Sequence, residues 1–525
     1  MIIRSTHPDV EIPEVSLNEY LFGGDFGDRV DAPALLDGSS GASITFGQLA
    51  GMVEKVAAVL AERGVGKGDV VAIFAPNTPY YAAVFHGILR AGGVVTTINS
   101  LYTPGEVAFQ LRNSGAGILF TISLFLERAE AATAAEGVNV RETIVLDGAP
   151  GHTSLPDLLA TTAEPPDVQV GPDDTAVLPY SSGTTAQAKG VILTHRNLVA
   201  NLAQIEPFLG VTAETKILAV LPFFHIYGMT VMMNAGLRSR STVVTMPKFD
   251  LAEFLRVISE NGVERVYIAP PVAVALAKHP MVDNYDLSCI DTIFSGAAPL
   301  DAELAHAVAK RLGCEVIQGY GMTEMSPVSH AIPPGRSDID VNTVGPAIPN
   351  MECKLVDPET GEELGVDERG ELLCRGPNVM VGYLNDAEAT AATLDDEGWL
   401  HTGDVATVDA EGNFTIVDRV KELIKYKGYQ VPPAELEALL LTHDKIADAA
   451  VIGVKDAEGE EVPKAFVVRQ AAGEDLTAED VMGFVAERIA PHKKVRVVEF
   501  IDAIPKSASG KILRKDLRAR EAATT

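Results

Sequence analysis

The feature that most restricts the fold of this chain is an alternation between two hydrophobic periods. Leu49, Val53, Val56 and Leu60 recur at helical spacing, and the uninterrupted apolar run Val70 to Phe74 follows, opened by Gly68 and Asp69. A stripe of that spacing belongs to an amphipathic helix, whereas a short apolar run bounded by turn residues suits a buried strand. The alternation continues with a helix expected around Tyr80 to Arg90 and a strand at Val94 to Ile98. Further strands are expected at Ile217 to Leu221, Thr242 to Thr245 and Val263 to Ile268. Apolar strands separated by helices argue for an α/β fold with largely parallel sheets, each flanked by helices.

At 525 residues the chain exceeds what one hydrophobic core serves, so at least two packed units are expected, the larger itself subdivided. The stretch Gly151 to Asp174, rich in Pro, Asp and Thr, reads as a surface connection into a strand at Val177 to Tyr180. A better boundary lies at Asp418 to Lys421, after the glycine-containing and turn-rich stretch Trp399 to Gly412. It divides a large N-terminal part with layered sheets, residues 1–417, from a small C-terminal α+β unit, residues 418–525. No internal repeat or low-complexity tract is present.

Composition narrows the partners. A formal charge of -30 and a sequence pI near 4.7 oppose binding to a phosphate backbone, which is met by clustered Lys and Arg, so no nucleic-acid partner is expected. Cys289, Cys314, Cys353 and Cys374 form no CxxC pair, so neither a zinc site nor a disulfide framework is expected and reduced thiols fit a cytoplasmic location. The opening segment Met1 to Asp9 lacks the apolar run of a signal peptide, and no long uncharged stretch follows. A soluble chain without membrane insertion is expected, and its Ala-Ala-Thr-Thr end is not a peroxisomal address. Monomer and homodimer stay equally open.

Four segments carry chemistry suited to a nucleotide. Tyr180 to Gly190 (YSSGTTAQAKG) gathers hydroxyls, glycines and Lys189 into one loop, and such donors suit a polyphosphate. It is not a Walker loop, because Ala188 stands where a glycine should precede the lysine and Gly190 where Ser or Thr should follow. In Gln318 to Glu324 (QGYGMTE), two glycines let Tyr320 and its backbone lie flat against a purine. Thr323 and Glu324 there offer a hydroxyl and a carboxylate for phosphate and Mg2+. His401 to Asp404 (HTGD), with Asp418 to Gln430, supplies an acid for ribose hydroxyls and Arg419 to assist it. Ser507 to Arg514 places Lys511 after a flexible turn. Singly, each also suits an ordinary glycine-rich turn, a solvated charge run or a polar tail.

In this order and spacing the segments resemble the adenylate-forming superfamily of acyl-CoA synthetases, luciferases and peptide-synthetase adenylation domains, from about Ser43 to Lys515. Together with Pro222 to Gly228 (PFFHIYG) and Ser295 to Leu300 (SGAAPL), they are most similar to 4-coumarate:CoA ligases and their bacterial relatives. The resemblance implies that the small unit is a mobile lid turning about a hinge matched by Lys421, with one pose for each half-reaction.

The resemblance also implies that Ser181, Ser182, Gly183, Thr184, Thr185 and Lys189 cradle the β- and γ-phosphates, with Glu324 and Thr184 at Mg2+. Gly296, Ala297, Ala298, Gln318, Gly319, Tyr320, Gly321, Met322 and Thr323 would line the nucleotide, and Asp404 and Arg419 would hold its ribose. Lys511 matches the lysine that bridges the attacking carboxylate and the α-phosphate. Lys425 and Gln430 match residues of the adenylate and thioester steps, and His225 the histidine where acyl and thiol channels meet. Lys427, Gly428 and Tyr429 would face CoA, while Tyr227, Val231, Gly296, Gly319, Gly321, Pro327 and Val328 would form a flat, apolar acid slot.

The activity so implied is ATP-dependent carboxylic acid:CoA ligation through an acyl-adenylate, with ATP, Mg2+ and CoA, on hydroxycinnamate-like acids. The carboxylate is ionised at neutral pH, so its attack requires charge neutralisation and alignment rather than a general base. Ala186, Gln187 and Ala188 depart from the family's Gly and Pro around Lys189, which predicts weaker ATP or pyrophosphate handling. The alternatives are an acyl-AMP ligase serving a carrier protein, an oxidative luciferase, a medium-chain fatty acyl-CoA synthetase and a non-catalytic binding homologue. An intact Lys425 to Tyr429 segment, with no large insertion before the hinge, favours CoA. Hydrolysis is not supported, since neither a GxSxG elbow nor an HExxH helix occurs.

Overall fold

In a computed structural model, the described residues are 1–181, 188–427, 429–456, 460–470, 473–508 and 510–524. The expected helical stripe forms the helix Phe46–Glu62, capped by a reciprocal Thr45–Gln48 pair and burying Leu49, Val53, Val56 and Leu60. The strand Val70–Phe74 follows and lies inside a seven-stranded sheet. Across that sheet run Gly382–Tyr383, Lys189–Thr194, Thr175–Ser181, Val94–Thr97, Val70–Phe74, Ile118–Thr121 and Glu142–Val145, the last five parallel.

An eight-stranded sheet runs Val328–Ala331, Glu315–Gly321, Thr292–Ser295, Arg265–Ile268, Lys216–Ala219, Thr242–Thr245, Pro33–Asp37 and Ser43–Thr45, antiparallel only at its two edges. Strands such as Val94–Thr97, Thr242–Thr245 and Arg265–Ile268 are buried at every position, as parallel strands covered on both faces must be. The strand expected to reach Leu221 ends at Ala219. Asn77 ends it, since its side-chain amide donates to the carbonyls of Ala219 and Leu221 and its oxygen accepts from the Phe223 N–H at 2.7 Å.

Two stretches differ from their sequence reading. Residues 151–174 are not wholly irregular: the helix Leu155–Leu159, capped by Ser154 and Asp157, buries Leu155 and Leu158. The stretch read as turn-rich contains the nine-residue strand Leu400–Val408. It belongs to a five-stranded antiparallel sheet in the order Ile3–Arg4, Glu352–Val356, Gly370–Arg375, Leu400–Val408, Phe414–Arg419. Cys353 and Cys374, distant in sequence, are cross-strand partners there, with free thiols 3.8 Å apart.

The C-terminal unit holds the hairpin Ile424–Tyr426 and Tyr429–Val431, and a sheet of Ile446–Lys455, Glu461–Arg469 and Val497–Phe500. The helices Pro433–Thr442, Ala478–Ala486 and Arg514–Thr524 accompany it. Buried members of the large core run from Leu17 to Phe414, and those of the small core from Ile424 to Val495. We propose the division of the chain between them, at Asp418 to Lys421. Among the described residues no helix is long and apolar enough to cross a membrane.

Among the histidines buried in the large core are His86 and His195, whose pKa values burial lowers from 6.5 to about 3 and about 4. Both are neutral in the folded chain and titrate normally once unfolded. Their contribution to stability is therefore present above pH 6.5 and is lost as pH falls toward 4, at up to about 1.4 kcal/mol per unit for each. Urea unfolding midpoints are expected to drop steadily between pH 6.5 and 4.5, and less steeply in His86→Gln. A flat midpoint across that range would contradict this account.

Candidate active site

The site forms where the strand Glu315–Gly321 leaves its sheet. A Cβ at Gly321 would lie 2.1 Å from the Pro327 carbonyl oxygen, and one at Gly319 would lie 2.6 Å from the Phe294 ring and 2.9 Å from the His330 carbonyl. The position that a side chain would take at each of these glycines is thus filled by the protein itself. Gly321→Ala is expected to force the strand off Pro327, costing about 1–3 kcal/mol of stability as overpacked sites do and weakening ATP binding through displaced Tyr320. Isothermal titration with ATP beside urea unfolding checks this, and wild-type values for both would refute it.

Gln318 likewise serves the scaffold. Its amide accepts from the Leu300 N–H at 2.9 Å and donates to the Leu300 carbonyl at 2.7 Å and to the Val341 carbonyl. The Ser295 to Leu300 turn is thereby clamped, with Ala297 held at φ 71°, a left-handed conformation that costs a non-glycine residue about 1–2 kcal/mol. Gly296, Ala298, Met322 and Thr323 border the same turn and strand end.

Tyr320 donates its hydroxyl proton to Asp404 Oδ2 at 2.5 Å. Asp404, buried on Leu400–Val408, stands opposite Arg419 in the neighbouring strand, with Nε 3.4 Å from Oδ1. Burial, then the Asp404 charge, raises the Tyr320 pKa, so the phenol stays protonated and remains a donor. Glu324, also buried, accepts the Tyr383 hydroxyl at Oε1, 2.8 Å away. The Lys189 ammonium lies 5.0 Å from the centre of that same tyrosine ring. Ser181 and Lys189 are cross-strand partners. Ser182, Gly183, Thr184, Thr185, Ala186 and Gln187 lie outside the described residues, as does Gly428.

Lys511 completes the cluster from the C-terminal unit. Burial and the charge of Arg419 lower its pKa, while Asp404 and Glu324 oppose that shift, so all three lie within electrostatic reach of its ammonium. His225 is pushed down to about 3, first by burial and then by Lys511, and is therefore neutral. Its Nδ1 accepts from the Tyr227 N–H at 3.3 Å.

Tyr227 packs against Gly296, where a Cβ would meet its ring at 2.9 Å, and its ring centre is 6.4 Å from that of Tyr267. Its hydroxyl is buried without a hydrogen-bond partner. Val231, Pro327 and Val328 are buried; Val231 lies in a π-helical segment, Gly228–Asn234, a geometry frequent at functional sites.

The hairpin residues take a different position. Lys425, Lys427, Tyr429 and Gln430 are exposed, with Lys425 opposite Gln430 and Tyr429 stacked on His492 at 4.4 Å, and Lys421 is exposed as well. The structure thus gathers Lys511, not the hairpin, with Tyr320, Asp404, Arg419, Glu324 and His225. Tyr383 is the functional candidate that sequence reasoning missed. Nothing local marks it, because its partner Glu324 is 59 residues away and the two are brought together by the pairing of Gly382–Tyr383 with Lys189–Thr194 and by the Met380 N–H, which donates to the Glu324 carbonyl at 2.8 Å.

Residues 26–384 match the family of AMP-binding enzymes, and residues 435–511 match the AMP-binding enzyme C-terminal domain. The chain is 43% identical over 537 residues to 4-coumarate–CoA ligase 3 of Oryza sativa subsp. japonica, spanning 100% of this chain and 95% of that protein. It is 43% identical over 536 residues to the 4-coumarate–CoA ligase of Pinus taeda, spanning 99% and 98%. Among solved structures, the anthranilate CoA ligase AuaEII in complex with anthranoyl-AMP superposes with a TM-score of 0.89 at 28% identity over 98% of each chain. ATP-bound MatB from Rhodopseudomonas palustris gives 0.87 at 29% over 97% and 99%. Matched over residues 26–384 and 435–511 by the two domains of one family, and along its whole length by individual relatives, this chain belongs to the AMP-binding enzymes.

Proposed function

We propose that this chain is an ATP-dependent carboxylic acid:CoA ligase acting through an acyl-adenylate, with hydroxycinnamate-like aryl acids as substrates. The observation that carries the reading is the placement of Lys511 within electrostatic reach of Asp404, Arg419 and Glu324, where Tyr320 donates its hydroxyl to Asp404. Tyr320 offers adenine a ring, Asp404 and Arg419 meet the ribose, and Lys189 with the Ser181 to Lys189 loop receives the β- and γ-phosphates. The Lys511 ammonium holds the substrate carboxylate and the α-phosphate together, neutralising both so that the new O–P bond forms as the bond to pyrophosphate breaks. Neutral His225 contributes shape rather than charge where the acyl group lies, and the aromatic wall of Tyr227, Tyr267 and Phe294 favours a ring.

Among the described residues no three His, Cys, Asp or Glu side chains are grouped to hold a metal by themselves. Glu324, a buried, hard oxygen donor already oriented by Tyr383, would hold a divalent cation brought in with ATP. Such an ion, as Mg2+, supplies charge neutralisation on the phosphates. The thiol of CoA then attacks the acyl carbonyl, its C–S bond replacing the bond to AMP. We assign Lys425, Lys427, Tyr429 and Gln430 of the exposed hairpin to that second step.

Release of pyrophosphate and AMP, measured with ATP, Mg2+ and a panel of aryl and fatty acids with and without CoA, tests the reading. Acid-dependent release that CoA accelerates, with a thioester as product and aryl acids preferred, is expected. Release indifferent to CoA would favour delivery to a carrier protein, and a preference for fatty acids would overturn the proposed substrate class.

A further inference from the structure

One body helix, Pro270–Lys278, touches the C-terminal unit at both of its ends. At the N-terminal end its capping residue Ala269 faces Gly510, the neighbour of Lys511; a Cβ built on Gly510, which holds φ 85°, would lie 2.9 Å from the Ala269 Cβ. At the C-terminal end the Lys278 ammonium donates to the carbonyls of Leu441 at 2.6 Å and His443 at 3.2 Å. These carbonyls close the helix Pro433–Thr442 of the C-terminal unit.

The physical logic of that second contact is specific. Two helices meet C-terminus to C-terminus, so two sets of unsatisfied carbonyls and two negative dipole ends are brought together. A cation is the group that resolves such a meeting. Lys278 lies in the last turn of its own helix and reaches the last carbonyls of the other. The site is partly desolvated, as the lowered pKa of Lys278 reports: burial pulls it down and Asp444 opposes the shift. Leu441 adds apolar contact, packing against the large core as well as the small one. Arg311 meanwhile donates to the Leu276 carbonyl at 3.0 Å, keeping the end of the body helix in place.

We infer that Lys278 is a positioning residue for the adenylate-forming step alone: by clamping the Pro433–Thr442 helix, with Leu441 packed beside it, it holds the C-terminal unit where Gly510 meets Ala269 and Lys511 enters the cleft. The inference rests on the proposed ligase reading and goes beyond it, because Lys278 touches no substrate and lies outside the motifs that carry that reading. It predicts a division between the half-reactions. Adenylation needs Lys511 in the cleft and therefore needs the clamp. Thioester formation, assigned to the exposed hairpin, gains nothing from it.

The test compares Lys278→Met and Lys278→Arg with the unaltered enzyme in three measurements. Acid-dependent ATP–pyrophosphate exchange is expected to fall by at least about tenfold in Lys278→Met, the scale of losing hydrogen bonds from a charged donor, and to recover in Lys278→Arg. Thioester formation from preformed acyl-adenylate and CoA is expected to be unchanged. Hydrogen exchange of the backbone amides of residues 506–508 and 510–515, followed without substrate, is expected to quicken in Lys278→Met. Equal losses in both half-reactions would make Lys278 a merely structural residue, and unchanged exchange chemistry with unchanged amide protection would make the contact inert; either overturns the inference. An unaltered enzyme with no acid-dependent exchange would instead overturn the ligase reading, leaving the amide-exchange result to judge the clamp.

Discussion

Lys511→Ala is expected to slow acid-dependent ATP–pyrophosphate exchange by about 10²- to 10³-fold, the usual cost of removing one preorganised charge from a developing transition state. Thioester formation from preformed acyl-adenylate is expected to persist, because the carbonyl attacked by the thiol is already activated by its bond to AMP. The pH dependence carries a second signature. Burial and Arg419 lower the Lys511 pKa below its ordinary 10.5 in the free protein, so the ammonium is lost at a lower pH than that of a solvated lysine. The alkaline limb of kcat/KM for adenylation, which reports the free enzyme, should therefore lie below pH 10.5. In Lys511→Arg that limb should move upward, since a guanidinium stays charged throughout the range. Arg419→Gln should also move it upward by removing the opposing charge. A loss below tenfold in Lys511→Ala, or an equal loss in the thioester step, would remove Lys511 from the role assigned to it.

The parallel-cored sheets were legible because burial on both faces leaves an apolar run that alternates with helical stripes, as at Val70–Phe74 and Phe46–Glu62. The strand Leu400–Val408 was hidden because its own residues mimic a turn. Gly403, at φ 70°, sits inside it, and the pairing shifts register between Val405 and Ala406. The helix Leu155–Leu159 was hidden by brevity, since five residues cannot display a period. Within the site, Tyr320, Asp404, Glu324 and Lys511 could be singled out because each sits in a short segment of unusual composition. What those segments do to one another was not legible. The Tyr320–Asp404 bond spans 84 residues, Tyr383 reaches Glu324 through a sheet edge, and Lys278 meets Leu441 across 163 residues. The glycines around Tyr320 were recognised as meaningful, but their reason, a carbonyl and a ring packed against bare Cα atoms, is a property of the assembled sheet.

Asp404→Ala is expected to weaken ATP binding on the order of 10²-fold, since hydrogen bonds to a charged partner are worth about 1.5–3 kcal/mol each and are lost together here. The carboxylate has several tasks. It accepts the Tyr320 hydroxyl at 2.5 Å, it pairs with Arg419, and it opposes the depression of the Lys511 pKa. Removing it leaves the phenol without this acceptor, frees the guanidinium, and strips Lys511 of a stabilising negative charge. The alkaline limb of adenylation should consequently move to lower pH, opposite to its movement in Arg419→Gln. Asp404→Asn separates these effects, because the amide oxygen can still accept from Tyr320 while the charge is gone. ATP affinity should then recover in part, and the alkaline limb should stay displaced. The measurements are the KM for ATP and the kcat/KM pH profile of pyrophosphate exchange in both variants. If Asp404→Ala left both at their unaltered values, Asp404 would be no more than a strut beneath Tyr320, and the ribose would have to be held elsewhere.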